Sequence, residues 1–572
     1  QWFLTDYLHL KGQIAITKEF TKKERFIDPL SSNTTAKAQK EAELEGDLYL
    51  TKGESTNWDA QIGAYVSKSF GAHALNASVV VNATSRKSES TSSHYRGFPS
   101  GEYHSPNYAA EIKDKPSKSQ SASRLAGFLL LANYTWNDIY LADVSVRFDG
   151  SSEFGLDQKW APFWSFGAGV NLHNYAFLNG SKVINRMKFR ASYGQTGKVN
   201  FPSYSARTVY RTFDRWYIAG FGVGLKALGN RDLKWETTNK LNVGTDMEFW
   251  NSRISLVFDY YYNKTVDLIT DVTLPGSAGF SSYKSNLGET LNKGFDIQFR
   301  FDVMKNKDWN VALWGNLNHN RNEILKISDA LKAYNSQVED YYGLAEESQT
   351  PTLSWTQAGK TYSDFIKPIM KYEEGASLTA IYGVRSLGID PSNGKELYLY
   401  RNGQASHKWK ATEEVVLGDS EPKASGSFGL NATYKNFSLF ASFGYEWGKQ
   451  TYNETLIMNV ENADIQGSNV DKRVLTQRWE KPGDIAPLKD IKDMNSVTLP
   501  TSRFVQDENV LSLDALTLSY DFDPLWLRKI FLKTLRLEVS TNELFRLSSI
   551  KQERGTSYPF ARTVNFSLRA TF

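Results

Sequence analysis

The 572-residue chain contains no cysteine. That excludes a disulfide framework, a zinc–thiolate site and a cysteine nucleophile. Long apolar runs are also missing. The longest are stretches such as FLLLA at 128–132, whereas a membrane-spanning helix needs about 20 apolar residues, so none is expected. Neither sign of charge dominates: 67 Lys and Arg stand against 63 Asp and Glu, for a formal net charge of +4. Spread along the chain, this leaves no footprint for nucleic acid. The opening QWFLTDYLHLKG has no basic region, apolar core or small-residue cleavage site, so it does not read as a signal peptide. The expectation is either that the mature protein starts here or that its beginning is missing.

Catalytic motifs are absent as well. No G-x-S-x-G elbow occurs, and the seven histidines are scattered without an H-E-x-x-H or a pair at ligand spacing. SWTQAGKT at 354–361 resembles the end of a P-loop, but Ser354 stands where the first glycine is required, and we read the match as chance. DPSNGKE at 390–396 lacks the alternating acidic ligands of a calcium loop and reads as a turn built on Pro391 and Gly394. No enzymatic activity, metal or cofactor is expected.

What the chain has in quantity is aromatics, with 15 Trp, 30 Tyr and 33 Phe, and a period of two. In the terminal TVNFSLRATF, Val564, Phe566, Leu568, Ala570 and Phe572 share one face, and Asn565, Ser567, Arg569 and Thr571 the other. DIYLADVSVRFDG sets Val144, Val146 and Phe148 against Asp143, Ser145 and Arg147. ISLVFDYYYN, FSLFASFGYEWG and LRLEVSTN repeat the pattern, with Asp259, Glu446, Arg536 and Glu538 on the polar side and Phe258, Phe443 and Leu537 on the apolar side. Each is a strand with one oily and one wet face.

A soluble sandwich also alternates, so length and connections must decide. The strands run about 10–18 residues, against about 5–6 in ordinary sheets, and crossing a bilayer takes about 9–11. Short turns at 70–73, 136–138, 250–253, 305–308 and 434–436 alternate with long polar segments at 21–42, 87–120, 198–232, 328–421 and 452–508. Short turns on one side and long loops on the other describe an outer-membrane barrel. Trp136, Tyr140, Trp160, Trp164, Trp250, Tyr260, Tyr261, Tyr262 and Trp447 near strand ends suit its interfacial girdles. The fold class is therefore all-β, a transmembrane antiparallel β-barrel integral to a bacterial outer membrane and facing its lipids. About 16 strands are predicted, with ends uncertain by about 2–4 residues: 8–20, 44–70, 73–86, 121–136, 138–150, 162–173, 185–197, 233–249, 252–269, 283–304, 307–324, 424–434, 436–451, 509–522, 533–547 and 562–572. Both termini fall on the short-turn side, and the final strand is expected to pair with the first and so remove the edge.

Taken in order, RFDGSSEFG, RMKFRASYGQTG, LGNRDLKWETTNKLNVGTDMEFWNSRISLVFDYYYNKTVDLI, LPGSAGFSSYKSNLGETLNKGFDI, AIYGVRSLGIDPSNGKELYLY, RWEKPGD, TSRFVQDENVLSLDALTLSYDF and YPFARTVNFSLRATF resemble the SusC/RagA-type TonB-dependent transporters of Bacteroidota along nearly the whole chain. The resemblance implies a barrel of 22 strands filled by an N-terminal plug, capped by a SusD-like surface lipoprotein. Such a barrel imports oligosaccharides or peptides with energy from TonB–ExbB–ExbD. It also implies that the terminal Phe572 is a signal to the outer-membrane assembly machinery. No stretch resembles a plug or TonB box, so residues 1–572 are expected to be the C-terminal part of the barrel, with TonB acting through the missing plug region. The alternatives are a structural barrel scaffolding a larger complex and a plugless diffusion porin. For substrate contact, FDRWYIAGFG and EDYYGL in the long loops offer Trp216, Tyr217, Tyr341 and Tyr342 as aromatic platforms. Packing of loop on loop is the competing reading.

Overall fold

The computed structural model describes all residues except 32–44, 156–157, 199–203, 205, 218–219, 228, 274–281, 287, 347–355, 358–359, 362–364, 464–469, 494–497 and 552–560. Its main element is an 18-stranded antiparallel sheet whose strands pair in chain order, except that the short Arg546–Ser548 pairs with Val505–Asp521 and the last strand with Thr534–Asn542. The strands are β1 (Trp2–Thr5), β2 (Leu8–Ile27), β3 (Asp47–Phe70), β4 (His73–Arg96), β5 (Glu111–Trp136), β6 (Tyr140–Ser151), β7 (Trp160–Asn171), β8 (Ile184–Lys198) and β9 (Glu236–Phe249). They continue as β10 (Ile254–Val266), β11 (Glu289–Lys305), β12 (Trp309–Lys326), β13 (Ala424–Tyr434), β14 (Phe437–Tyr452), β15 (Val505–Asp521), β16 (Thr534–Asn542), β17 (Arg546–Ser548) and β18 (Val564–Thr571). Strands β16 and β17 both pair with β15 and are one strand interrupted near Glu543, whose φ is 47°. All sixteen expected strands are therefore present, and the short β1, hairpinned onto β2, is additional.

The short turns are built from left-handed backbone. Asn137 and Asp138 (φ 53° and 56°), Asn251 (φ 57°), Lys435 (φ 49°) and Gly71 (φ 59°) supply the positive φ that matches a tight connection to the twist of its strands. The polar segments at 21–42 and 87–120 are not loops throughout. Strand β2 runs on to Ile27, β4 to Arg96, and β5 begins at Glu111. These extensions have water on both faces, so they lose the alternation that marks a half-buried strand. Pro116 sits where the β4–β5 register slips between Ser92 and His94, a bulge that spares the ladder its missing N–H.

Closure of the last strand on the first is not observed. Among the described residues β18 pairs only with β16 and β1 only with β2, so the sheet keeps two free edges. Both faces of β18 are open: Phe566 is 76% exposed on one, and Asn565, Ser567 and Arg569 are exposed on the other. In hydrocarbon such an edge must be met by a further strand, since no water is there to satisfy it.

The two faces sort as the alternation requires. Val146, Phe258 and Leu537 are exposed on the apolar face. On the other face Arg147 pairs with Asp149 at 2.6 Å, Arg190 with Asp259 at 2.7 Å, and Arg536 with Asp521 at 2.6 Å. Aromatic pairs mark the short-turn end: Trp136 on Tyr140 with centroids 5.3 Å apart, and Trp309 on Tyr434 at 4.3 Å. Tyr261 departs from the expected girdle, because its hydroxyl turns to the polar face and meets Asn320 Oδ1 at 3.1 Å.

Val146→Arg should cost about 2–4 kcal/mol near mid-bilayer and Ser145→Arg little. Urea titration of refolding into lipid vesicles measures both, and equal tolerance would show that the faces are assigned the wrong way round.

Candidate functional site

Two connections, 327–423 between β12 and β13 and 453–504 between β14 and β15, fold together on the long-loop side. The first carries helix α1 (Asp329–Glu346), so the expected long polar loop is an ordered body with its own core. That core gathers Val338, Tyr342, Phe365, Val384, Tyr398 and Trp409. A second cluster joins Ile381 and Ile366 to Ile457 and Phe504, and so ties one connection to the other.

The turn expected at 390–396 is one of the fasteners. Asp390 Oδ1 accepts from the Ser392 amide at 2.8 Å, and the Gly394 amide donates to the Asp390 carbonyl at 2.9 Å. Gly394 has φ 71°, and a Cβ there would lie 2.5 Å from the Trp479 ring. The Trp479 indole in turn donates to the Pro391 carbonyl at 2.9 Å. The DPSNGKE and RWEKPGD stretches are thus two halves of one contact.

Beneath it lies a buried charge cluster. Arg503 reaches Glu396 at 2.8 Å and Glu461 at 2.6 Å, and Thr501 donates to the other Glu396 oxygen at 2.7 Å. Arg478 donates to the carbonyls of Val474 at 3.0 Å, Glu461 at 2.7 Å and Lys489 at 3.3 Å, and also to that of Val460. Burial alone would raise Glu396, but Arg503 and its hydrogen bonds outweigh it and hold the carboxyl below the usual range. Burial lowers Arg503, while Glu396 and Glu461 raise it further, so its net shift is upward. Burial depresses Lys489.

A second ionic contact fastens α1. Lys371 lies 2.8 Å from Glu339 on the helix and 3.4 Å from Glu414 below it. Burial pushes Glu414 up to about 7, against the lowering pull of Lys371. Arg401 also donates to the Glu414 carbonyl.

The expected aromatic platforms divide. Tyr342 has no exposed surface; its hydroxyl donates to the Lys367 carbonyl at 2.5 Å and its ring packs against Trp409. Tyr341 stacks on Phe365 with centroids 4.8 Å apart. Both pack loop on loop. Trp216 and Tyr217 lie at the end of a two-stranded hairpin, Val209–Tyr217 with Gly220–Ala227, of which the structure describes the backbone there. Phe572 follows β18 on the short-turn side, 81% exposed. Of SWTQAGKT, only the pairing of Thr356–Gln357 with Lys360–Thr361 falls within the described residues.

On the polar face of the sheet a recess of about 410 Å³ is lined by Asp143, Lys188, Arg190 and Asn242 among others. Glycines make room for its charges. A Cβ on Gly244 would sit 2.4 Å from Asp259 Oδ1 and 2.9 Å from the Arg190 guanidinium carbon, and one on Gly167 would sit 2.3 Å from Asp143 Oδ1. Among the described residues no group of three or more His, Asp or Glu side chains is arranged to hold a metal ion. The arrangement is suited to passing or holding a hydrophilic solute. The Arg503 cluster and the Lys371 contact were not anticipated from the sequence. Their members lie up to 107 residues apart along the chain and carry no local spacing signal.

Residues 17–463 match the family described as TonB dependent receptor-like, beta-barrel. TonB-dependent receptor P3 of Formosa agariphila is 29% identical over 514 residues, covering 88% of this chain and 49% of the relative. TonB-dependent receptor SusC of Bacteroides thetaiotaomicron is 25% identical over 459 residues, covering 76% of this chain and 42% of SusC. The chain thus spans about half the length of the curated relatives it matches. Among solved structures, the RagAB peptide transporter superposes with a TM-score of 0.78 at 22% identity, covering 96% of this chain and 57% of that one. This shared architecture is that of the fold alone.

Two outcomes test the loop body. Arg503→Met leaves two buried carboxylates without their cation and should destabilise the body by about 3–5 kcal/mol, read as faster hydrogen exchange across 453–504 with the sheet unchanged. Glu414 has a folded value of about 7 against an ordinary 4.5, so the folded state binds the extra proton between those limits. Its stabilisation is full below the lower value and lost as pH rises through the upper one, a change of about 3 kcal/mol. Glu414→Gln should flatten that slope in exchange measured around α1 from acid to neutral pH.

Proposed function

The chain belongs to the TonB-dependent receptor β-barrel family, integral to the outer membrane, and from that premise we propose that it forms the barrel wall and outer loops of a SusC-type active importer. Residues 1–572 are then the C-terminal part of the barrel. The observation that carries this reading is the pairing of a charged, glycine-relieved wet face with a cross-braced loop body on the same side as the other long connections. A passive pore needs only the first. A rigid outer body is what a moving lid would work against. We further propose that this lid is a SusD-like lipoprotein and that energy comes from TonB–ExbB–ExbD through a plug.

The cargo is an oligosaccharide or a peptide. That RagAB is a peptide transporter, together with the mixed charges of Asp143, Lys188 and Arg190, supports a peptide. Trp216 and Tyr217 remain the aromatic candidates for contact, and Phe572 the assembly signal.

Uptake of labelled peptides and of labelled oligosaccharides should be compared in cells carrying the full gene, lacking it, and lacking TonB. Uptake of one class is expected to need both the gene and TonB. Entry that survives loss of TonB would establish a diffusion pore, and no entry of either class would leave a scaffold.

A further inference from the structure

The apolar face of the sheet is not uniform. Between Trp58 on β3 and Trp160 on β7 the outward row drops to small residues. Ala83 pairs with Ala126, Ala126 with Gly150, and Gly150 with Trp160. The Trp160 ring lies over Gly150, where a Cβ would come within 2.6 Å of it. The same ring stacks on Phe148 with centroids 5.4 Å apart and planes 8° from parallel. The result is a groove of about 320 Å³ with a floor of small residues, tryptophan walls and a cationic rim of Arg124 and Lys159. No Asp or Glu is among its described lining residues. Arg124 is exposed on the same face, its row running through Ser85 to Trp58.

Height along the membrane normal gives the cation rim its meaning. Arg124 is twelve residues along β5 from Trp136 of the short-turn girdle. At about 3.3 Å per residue and a tilt of about 40°, that is about 30 Å along the normal. The outward apolar band of such barrels is about 25 Å tall. Arg124 and Lys159 therefore stand at head-group level on the long-loop side, directly above an apolar slot. In hydrocarbon such a slot provides shape and little driving force, so selection falls to the charges.

We propose that this groove binds the phosphorylated, acylated glycolipid of the outer leaflet, with one acyl chain between Trp58 and Trp160 and a phosphate against Arg124 and Lys159. The site is independent of transport and of any lid.

Native mass spectrometry of the full-length protein, extracted from outer membranes in mild detergent, tests it. The wild type should carry a phosphoglycolipid adduct. Arg124→Gln and Lys159→Gln should each lower its occupancy about fivefold, and Ala126→Leu should remove it by filling the floor. Heat-modifiable migration on gels checks folding, and if Ala126→Leu fails that check the two rim variants still decide. Unchanged occupancy in the folded rim variants, no adduct on the wild type, or a glycerophospholipid in place of the glycolipid would overturn the assignment.

Discussion

A peptide group in hydrocarbon has no water to turn to, and each one left unpaired costs several kcal/mol. Most of this structure follows from that constraint. It forces neighbouring strands into continuous ladders, such as the twenty-four consecutive pairs from Asp47 to Phe70 against β4. Short turns are then needed on one side, and residues such as Asn137, Asp138 and Lys435 adopt left-handed backbone to make them. With the backbone satisfied internally, the side chains are free to divide, apolar outward and charged inward, and that division makes a wall with a wet side.

Above the membrane the rule changes, because water is again present and a hydrophobic core becomes worth building. The connections at 327–423 and 453–504 behave as a small soluble protein grafted onto strand ends. They bury Tyr342, Phe365 and Phe504, and they enclose Arg503 between two carboxylates. A buried ion pair is weak evidence for stability, but removing one partner is costly. The Arg503 cluster is therefore better understood as fixing which segments meet. Glu396 comes from one connection and Glu461 from the other, and the body has a single arrangement in which both reach the same guanidinium.

The sheet was legible in the sequence because its signal is local. Alternation over ten residues identifies a strand wherever one face meets lipid, and every expected strand is present. Where both faces meet water, in TKKERFI of β2 or KSESTSSHYR of β4, the signal vanishes and strand reads as loop. The loop body was legible only in fragments. DPSNGKE announced its turn, but nothing near it announces Trp479. EDYYGL looked like a surface platform because tyrosines are amphipathic; its Tyr342 is core because α1 docks and the Lys367 carbonyl accepts a hydrogen bond from its hydroxyl. Pairing of the last strand with the first failed for a different reason. Periodicity says that a strand has neighbours and is silent about which ones.

The rise of β2 to β5 beyond the bilayer has a consequence for how this surface changes over time. Past Arg124, β5 continues to Glu111 and remains paired with β4 up to Arg96. Between Lys87 and Ser92 that upper wall is held mainly by main-chain bonds, which are indifferent to side-chain identity, whereas at its top Leu48 is buried and His94 meets Asp47 at 2.7 Å and Asp114 at 2.6 Å. The stretches of Ser, Lys, Glu and Thr below that top are thus under little structural selection beyond solubility and the bulge at Pro116. The middle of this raised wall is therefore the part free to drift, so the surface it displays can change without altering the wall beneath or the packed top above.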